Sequence, residues 1–261
     1  MKKEESRTVP GTVFEGMTSI SAIIAGNADG VNDRQIFRVL VDEERRGARS
    51  KELSWLSHRA DETGFTIEYV KSDEIDALTT GNTHGGIVAE CSERTVLQLS
   101  AEIIKPDGFY VMLEGIEDPY NFGYAIRSLY ACGADGIVLS PRNWMSAGGV
   151  VCRSSAGASE KMPVYESEPA KAAELFREAG YKIACAGIRN SVSSFEANLK
   201  KPLFLVVGGE KRGISSSLLD MADEIVRIDY GREFSGSLSA ASAATVLGYE
   251  VMRQNTFVSL Q

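Results

Sequence analysis

The sequence predicts an α/β protein in two parts: a small α/β domain, then a larger one with helices on both faces of a mainly parallel sheet. Three observations carry this. Up to about Cys91, short helical and strand-like units alternate. Beyond Phe109 the strand-like runs are continuously apolar, as in strands covered on both faces. Between these regions, residues 92–108 end in Lys-Pro-Asp-Gly, where proline and glycine interrupt both periods. The division falls near Lys105, giving parts of residues 1–104 and 105–261, and 261 residues suffice for two modest cores.

In the first part, residues 16–24 read as an amphipathic helix, 36–41 as a strand, 51–62 as a helix and 66–70 as a strand. A short helix at 72–78 and a strand at 86–89 follow. In the second part, strands are expected at 109–115, 136–140, 182–187, 203–209 and 224–229, alternating with helical stretches. After the first of these, Phe122, Ile126, Leu129 and Gly133 keep helical spacing and form a packed face, with Asn121 as N-cap and Arg127 at the edge. A helix rich in small residues runs from Ser237 to about Arg253, its first turn open to capping by Ser237 and Ser239.

Composition excludes several classes. At 43% hydrophobic and 25% charged the chain is an ordinary globular one. No apolar run approaches the roughly 18 residues of a membrane span, and the opening MKKEESRTVP lacks the apolar segment of a signal peptide, so a cytoplasmic protein without a membrane partner is expected. Cys91, Cys132, Cys152 and Cys185 are far apart without a CxxC pair, which signals buried free thiols rather than a metal site or disulfides. A net charge of -8 argues against nucleic acid as a partner. Local distribution argues the other way. Arg34, Arg38, Arg45, Arg46, Arg49, Lys51 and Arg59 face only Asp42, Glu43, Glu44 and Glu52 within their own segment, forming either a solvated helix face or an RNA-facing patch.

Three stretches carry the chemistry: NFGYAIR (121–127), VVGGEKRGIS (206–215) and GREFSGSLSAAS (231–242). Each lies where a strand-like run gives way to a loop or a helix start, and ligands of parallel sheets bind beyond the carboxyl ends of the strands. The second stretch is not a phosphate loop, because Ile214 occupies the lysine position; nor is there a dinucleotide GxGxxG in its usual context. Gly208 and Gly209 instead let a ligand lie directly on backbone, with the Glu210 carboxylate beside it. Ser237 and Ser239 add hydroxyls and free N–H groups at a helix start, favourable for an anionic group.

In this order and separation the three stretches closely resemble the motifs of the SpoU (TrmH-like) family of the SPOUT superfamily, which methylates ribose 2'-hydroxyls of RNA. EDPYNFGYAIRSLYACGADGIVL (117–139) looks like the first motif. FEGMTSISAII (14–24) and NTHGGIVAE (82–90) look like the start and end of that family's ribosomal-protein-like, RNA substrate-binding domain. The resemblance implies a trefoil knot in the second part, against the general rule that chains avoid knots. It also implies S-adenosyl-L-methionine bound in bent form on the knot's loops, no metal, and a homodimer with each site completed near the subunit interface. Asn121 and Arg127 would orient and help activate the ribose hydroxyl, Glu210 would position Arg127 or a neighbouring polar group, and Ser237 and Ser239 would complete the polar set. Backbone at Gly187, Val207, Gly209, Ile228 and Leu238 would hold the cofactor's adenine and ribose. Arg45, Arg46, Arg49 and His84 would face RNA, ribosomal RNA before transfer RNA. Two positions depart from the pattern: Ser237-Leu238-Ser239 stands where Ser-Leu-Asn is usual, and Tyr230 where methionine is common.

So sparse a polar set suits methyl transfer, an in-line displacement whose main demand is alignment. A histidine base would have to be His58 or His84, both in the first part. A free guanidinium keeps its proton to a pKa of about 12.5–13.8, so Arg127 is read as binding a substrate phosphate and polarising the hydroxyl. Two alternatives stay open: an RNA-binding or ribosome-associated protein of this fold without transfer activity, and an unrelated nucleotide-binding α/β enzyme.

Overall fold

The computed structural model describes residues 12–79, 84–141 and 147–256. Asn82 and Thr83 of the NTHGGIVAE stretch lie outside the described residues. In chain order the elements begin with β1 (Val13–Glu15), α1 (Gly16–Ala28), β2 (Ile36–Asp42), α2 (Ser50–Thr63), β3 (Thr66–Val70), α3 (Ser72–Leu78) and β4 (Ile87–Cys91). They continue with β5 (Leu97–Gln98), β6 (Phe109–Glu114), α4 (Pro119–Ala131), β7 (Gly136–Leu139), α5 (Gly148–Ser154), α6 (Ala158–Lys161) and β8 (Val164–Glu166). The last are α7 (Pro169–Glu178), β9 (Lys182–Ala186), β10 (Val192–Ser193), β11 (Leu203–Gly208), α8 (Ser216–Asp220), β12 (Glu224–Arg227) and α9 (Ala240–Thr256).

The chain forms two compact units, Met1–Thr95 with Asn143–Lys161, and Val96–Arg142 with Met162–Gln261. The compact units therefore part at Thr95 rather than near Lys105, and the first recruits a stretch from the middle of the second part. In the first unit the sheet runs β1-β4-β2-β3, with β4 antiparallel to both its neighbours and β2 parallel to β3. Its core gathers Phe14, Ile20, Ile23, Val39, Leu56 and Ile87, and Cys152 of α5 is buried among them. α5 lies against β1 so closely that a Cβ on Gly149 would stand 2.0 Å from the Val13 carbonyl oxygen; only glycine allows this contact. α6 is tied down by charge. The Glu160 carboxylate, 2% exposed, accepts from Arg34 Nε at 2.9 Å and Asn32 Nδ2 at 2.6 Å. Arg94 donates to the carbonyl oxygens of Ser159 and Val31 at 2.7 and 2.8 Å.

In the second unit the sheet order is β10-β12-β9-β11-β6-β7-β8-β5, and each neighbouring pair is parallel. The apolar runs at 109–115, 136–140, 182–187, 203–209 and 224–229 became β6, β7, β9, β11 and β12. Phe176 of α7 stacks on Phe204 of β11 at 4.1 Å between ring centroids, with Tyr110 and Tyr181 tilted against it, so one face of the sheet is sealed by aromatic packing. Three expectations are corrected. Asn121 is not the N-cap of α4: the Asp118 carboxylate accepts from the N–H groups of Tyr120 and Asn121, both at 3.2 Å, and Pro119 fills the first helical position. Gly133 is exposed beyond the helix end with φ +79° rather than packed beneath it. α9 also starts later than expected, at Ala240, and Ser239 caps it by accepting from the Ser242 N–H at 3.2 Å while Ser237 stays in the loop. Among the described residues no helix is long and apolar enough to cross a membrane.

Candidate functional site

The strands β12, β9, β11 and β6 are neighbours, and their register aligns their carboxyl ends: Val226 pairs with Ala186, Val206 with Cys185, and Gly208 with Glu114. At roughly 4.8 Å per strand this edge spans only about 14 Å. The first motif leaves β6 through the turn into α4, the second leaves β11, and the third follows β12. They meet. Asn121 Nδ2 donates to Glu210 Oε1 at 3.3 Å, across 89 residues of sequence. A cavity of about 140 Å³ is lined by Gly115, Asp118, Asn121, Glu210, Lys211 and Ala240, so all three stretches contribute to it. The junction is tight at Gly209, whose N–H donates to the Glu114 carbonyl at 2.6 Å and whose Cβ, if present, would stand 2.1 Å from the Gly115 carbonyl oxygen. The Glu114 carboxylate accepts from the Ser215 N–H at 3.0 Å and fixes where the second motif turns away.

The backbone positions read as cofactor contacts lie along the same edge. Val207 is buried in β11, and Gly187 follows β9 with its N–H donating to the Val226 carbonyl at 2.9 Å. Ile228 follows β12, and Leu238 donates its N–H to the phenol oxygen of Tyr230 at 3.2 Å. Beside them is a polar group that the sequence did not reveal. Asp229 accepts from the Ser193 hydroxyl and, at 2.8 Å, from Arg227 Nε. These bonds, Ser193 before Arg227, hold its carboxyl below the ordinary value.

Arg127 is not among the residues that line this cavity. It is exposed on α4, on the same face as the exposed Tyr120 and Tyr124, and among the described residues it has no hydrogen bond or ion pair. Ser237 is exposed, and the Ser239 hydroxyl is committed to its cap.

The residues read as RNA-facing gather in the first unit. Arg49 Nη2 would lie 2.8 Å from a Cβ on Gly85, and Arg45 Cδ 2.7 Å from one on Gly86, so both side chains cover the loop that carries His84. Arg46 lies 4.5 Å above the Tyr69 ring. His84 is 5% exposed, accepts from the Gly86 N–H at 3.1 Å through Nδ1, and reaches Asp76 through Nε2 at 3.2 Å. Both ring nitrogens are thus engaged within the protein. The segment is also less cationic than its composition suggests, because other elements supply acids. Arg38 pairs with Glu68 and Glu90, and Arg34 is buried against Glu160.

A model of the SpoU rRNA Methylase family matches residues 108–249, which hold all three motifs. The chain belongs to the SpoU rRNA methylase family. A second model, RNA 2'-O ribose methyltransferase substrate binding, matches residues 15–97. The chain is 30% identical over 231 residues to YacO of Bacillus subtilis (strain 168), which its name places among TrmH family tRNA/rRNA methyltransferases, covering 85% of this chain and 90% of YacO. It is 27% identical over 217 residues to the 23S rRNA (guanosine-2'-O-)-methyltransferase RlmB of Shewanella oneidensis, covering 80% and 87%. Two solved structures share its fold. The SpoU methyltransferase AviRb from Streptomyces viridochromogenes, in complex with AdoMet, superposes with a TM-score of 0.72 at 24% identity, covering 93% of this chain and 89% of AviRb. An AdoMet-bound rRNA methyltransferase from Sinorhizobium meliloti gives 0.74 at 21% identity, covering 93% and 87%.

Within this SpoU-family chain the two departures from the usual motif acquire a physical account. Ser239 takes the helix-capping place, which serine fills as well as asparagine. Tyr230 uses a phenol oxygen, absent from methionine, to hold Leu238. All four cysteines are buried and free. Burial pushes the thiols of Cys91 and Cys185 up to about 12 and that of Cys132 to about 11, so they stay protonated and unreactive near neutrality. Among the described residues no group of three or more His, Cys, Asp or Glu side chains could hold a metal ion.

Proposed function

We propose that this chain transfers the methyl group of S-adenosyl-L-methionine to a ribose 2'-hydroxyl of structured RNA, ribosomal RNA in preference to transfer RNA. The observation that carries this reading is the meeting of three distant motifs around one small cavity, with Asn121 and Glu210 bonded across it. The preference for ribosomal RNA follows the likeness to RlmB, which acts on a guanosine of 23S rRNA. Glycine backbone at Gly187 and Gly209, beside half-buried Ile228 and Leu238, suits the flat, partly apolar nucleoside half of the cofactor.

When bound, the cofactor supplies an electrophilic methyl group on a sulfonium. Asn121, held by Glu210, orients the ribose. Arg127 binds the adjoining phosphate and polarises the hydroxyl with its fixed fork of donors. Arg45, Arg46 and Arg49 hold the RNA backbone, over a loop shaped by His84. The reading includes a cytoplasmic setting and the trefoil threading implied by the resemblance, supported by the insertion of β12 between β10 and β9.

It also includes a homodimer. α4 and α9 lie side by side, joined by the Thr245 hydroxyl donating to Ser128 Oγ at 2.7 Å. Together they present exposed Tyr120, Tyr124, Val246 and Tyr249 with Arg127 among them. Covering this face with a second copy shields apolar surface and puts Arg127 at a shared site. Tyr249→Glu combined with Val246→Glu is expected to give a monomer by sedimentation, still folded by circular dichroism, with methyl transfer reduced at least about tenfold. A dimer of unchanged affinity would place the interface elsewhere.

The reaction is tested by incubating undermodified total RNA with the protein and labelled cofactor, then mapping alkali-resistant linkages. Label confined to bases would overturn ribose specificity. S-adenosylhomocysteine, but not ATP or NAD, is expected to raise the melting temperature. Cofactor binding without incorporation into any RNA would favour an RNA-binding protein that has lost transfer.

A further inference from the structure

We propose that Asp229 and Tyr230 act together as positioning residues, clamping the loops on either side of them into the form that receives the cofactor. The inference rests on the function proposed above and concerns residues outside its catalytic set. The two side chains are consecutive and serve different loops. Asp229 reaches toward β10. Its carboxylate accepts from the buried Ser193 hydroxyl and from Arg227 Nε, and Arg227 in turn donates from Nη1 to the Ser191 carbonyl at 2.7 Å. The Ser193 hydroxyl oxygen also accepts from the Phe195 N–H at 3.2 Å. The segment between Gly187 and Phe195, which leaves the end of β9, is thus fastened to the residue after Ile228.

Tyr230 reaches toward α9. Its phenol oxygen accepts from the Leu238 N–H, closing a loop whose residues 231–237 are all exposed. Phe234 of that loop sits edge-on to the Tyr230 ring, 5.7 Å between centroids, and lies over Gly236. Three of the backbone positions assigned to the cofactor are therefore controlled from one dipeptide. Ile228 adjoins it, Leu238 is bonded to it, and Gly187 begins the segment that Asp229 ties. Both side chains are exposed, and hydrogen bonds at such positions add little to global stability. Their effect falls on loop geometry instead.

The test uses full-length Asp229→Asn and Tyr230→Phe, each removing an acceptor while keeping shape. Titration calorimetry with S-adenosylhomocysteine and steady-state kinetics are expected to show the cofactor Kd and KM raised about fivefold to tenfold, with kcat within about twofold and the melting temperature close to wild type. Ser193→Ala should shift Kd in the same direction as Asp229→Asn, and the two combined should cost less than the sum of the singles, since they share one contact. A structural role alone would lower the melting temperature and leave KM unmoved. If wild type binds S-adenosylhomocysteine and both variants keep its Kd and KM, this proposal is overturned alone. If wild type does not bind it, the underlying function falls and takes the proposal with it.

Discussion

Arg127→Ala is expected to lower methyl transfer by about 100- to 1,000-fold, the usual cost of losing one donor aimed at developing charge, while leaving S-adenosylhomocysteine affinity within about twofold. The separation follows from where the side chain lies. Arg127 is on the exposed face of α4, whereas the positions assigned to the cofactor are at the ends of β9, β11 and β12. Among the described residues it has no ion pair to lose, so the melting temperature should hold. Arg127→Lys should recover little, because an ammonium lacks the planar pair of donors that grips a phosphate and a hydroxyl together. Single-turnover rates with saturating RNA are the measurement. Wild-type turnover in the alanine variant would remove Arg127 from the mechanism and leave Asn121 and Glu210 as the groups to explain.

The largest stability effect is expected from Glu160→Ala. The Arg34–Glu160 pair is buried, with side chains 4% and 3% exposed, and Asn32 and Ser159 complete the carboxylate's bonds. Deleting one member of such a pair strands the other charge away from water, at a cost of about 3–5 kcal/mol. For a protein of this size a kilocalorie moves the midpoint by roughly 2–4 °C, so thermal unfolding should fall by on the order of 10 °C. Glu160→Gln should cost less, since an amide still accepts from Arg34 and Asn32. A melting temperature within about 2 °C of wild type for the alanine variant would show that the pair is solvated in solution.

How much was legible in the sequence depended on whether the deciding partner was close by. The strands β6, β7, β9, β11 and β12 showed as continuous apolar runs because both faces are covered. β5, β8 and β10 are two or three residues long and give no period to read. Asn121 looked like a cap because its residue type caps well; Pro119, fixed at the first helical position, hands that role to Asp118 and frees the Asn121 amide for Glu210. The convergence of the motifs was visible from the rule that parallel sheets bind at their carboxyl edge. The Asp229–Ser193 contact was not, since it joins the residue after Ile228 to a two-residue strand whose spacing obeys no pattern. Arg34 and Arg38 read as part of a basic run because their counter-charges, Glu160, Glu68 and Glu90, come from elsewhere in the chain.

Nor was the contribution of α5 and α6 visible, in a stretch of glycine, serine and valine without a readable period. That contribution has a consequence for how such a molecule can be cut and rejoined. A gene segment stopping at Thr95 would encode a sheet without Cys152 in its core and Arg34 without the Glu160 counter-ion. Exchanging the first unit for another would require two separate stretches of the gene to travel together, residues up to 95 and 143–161.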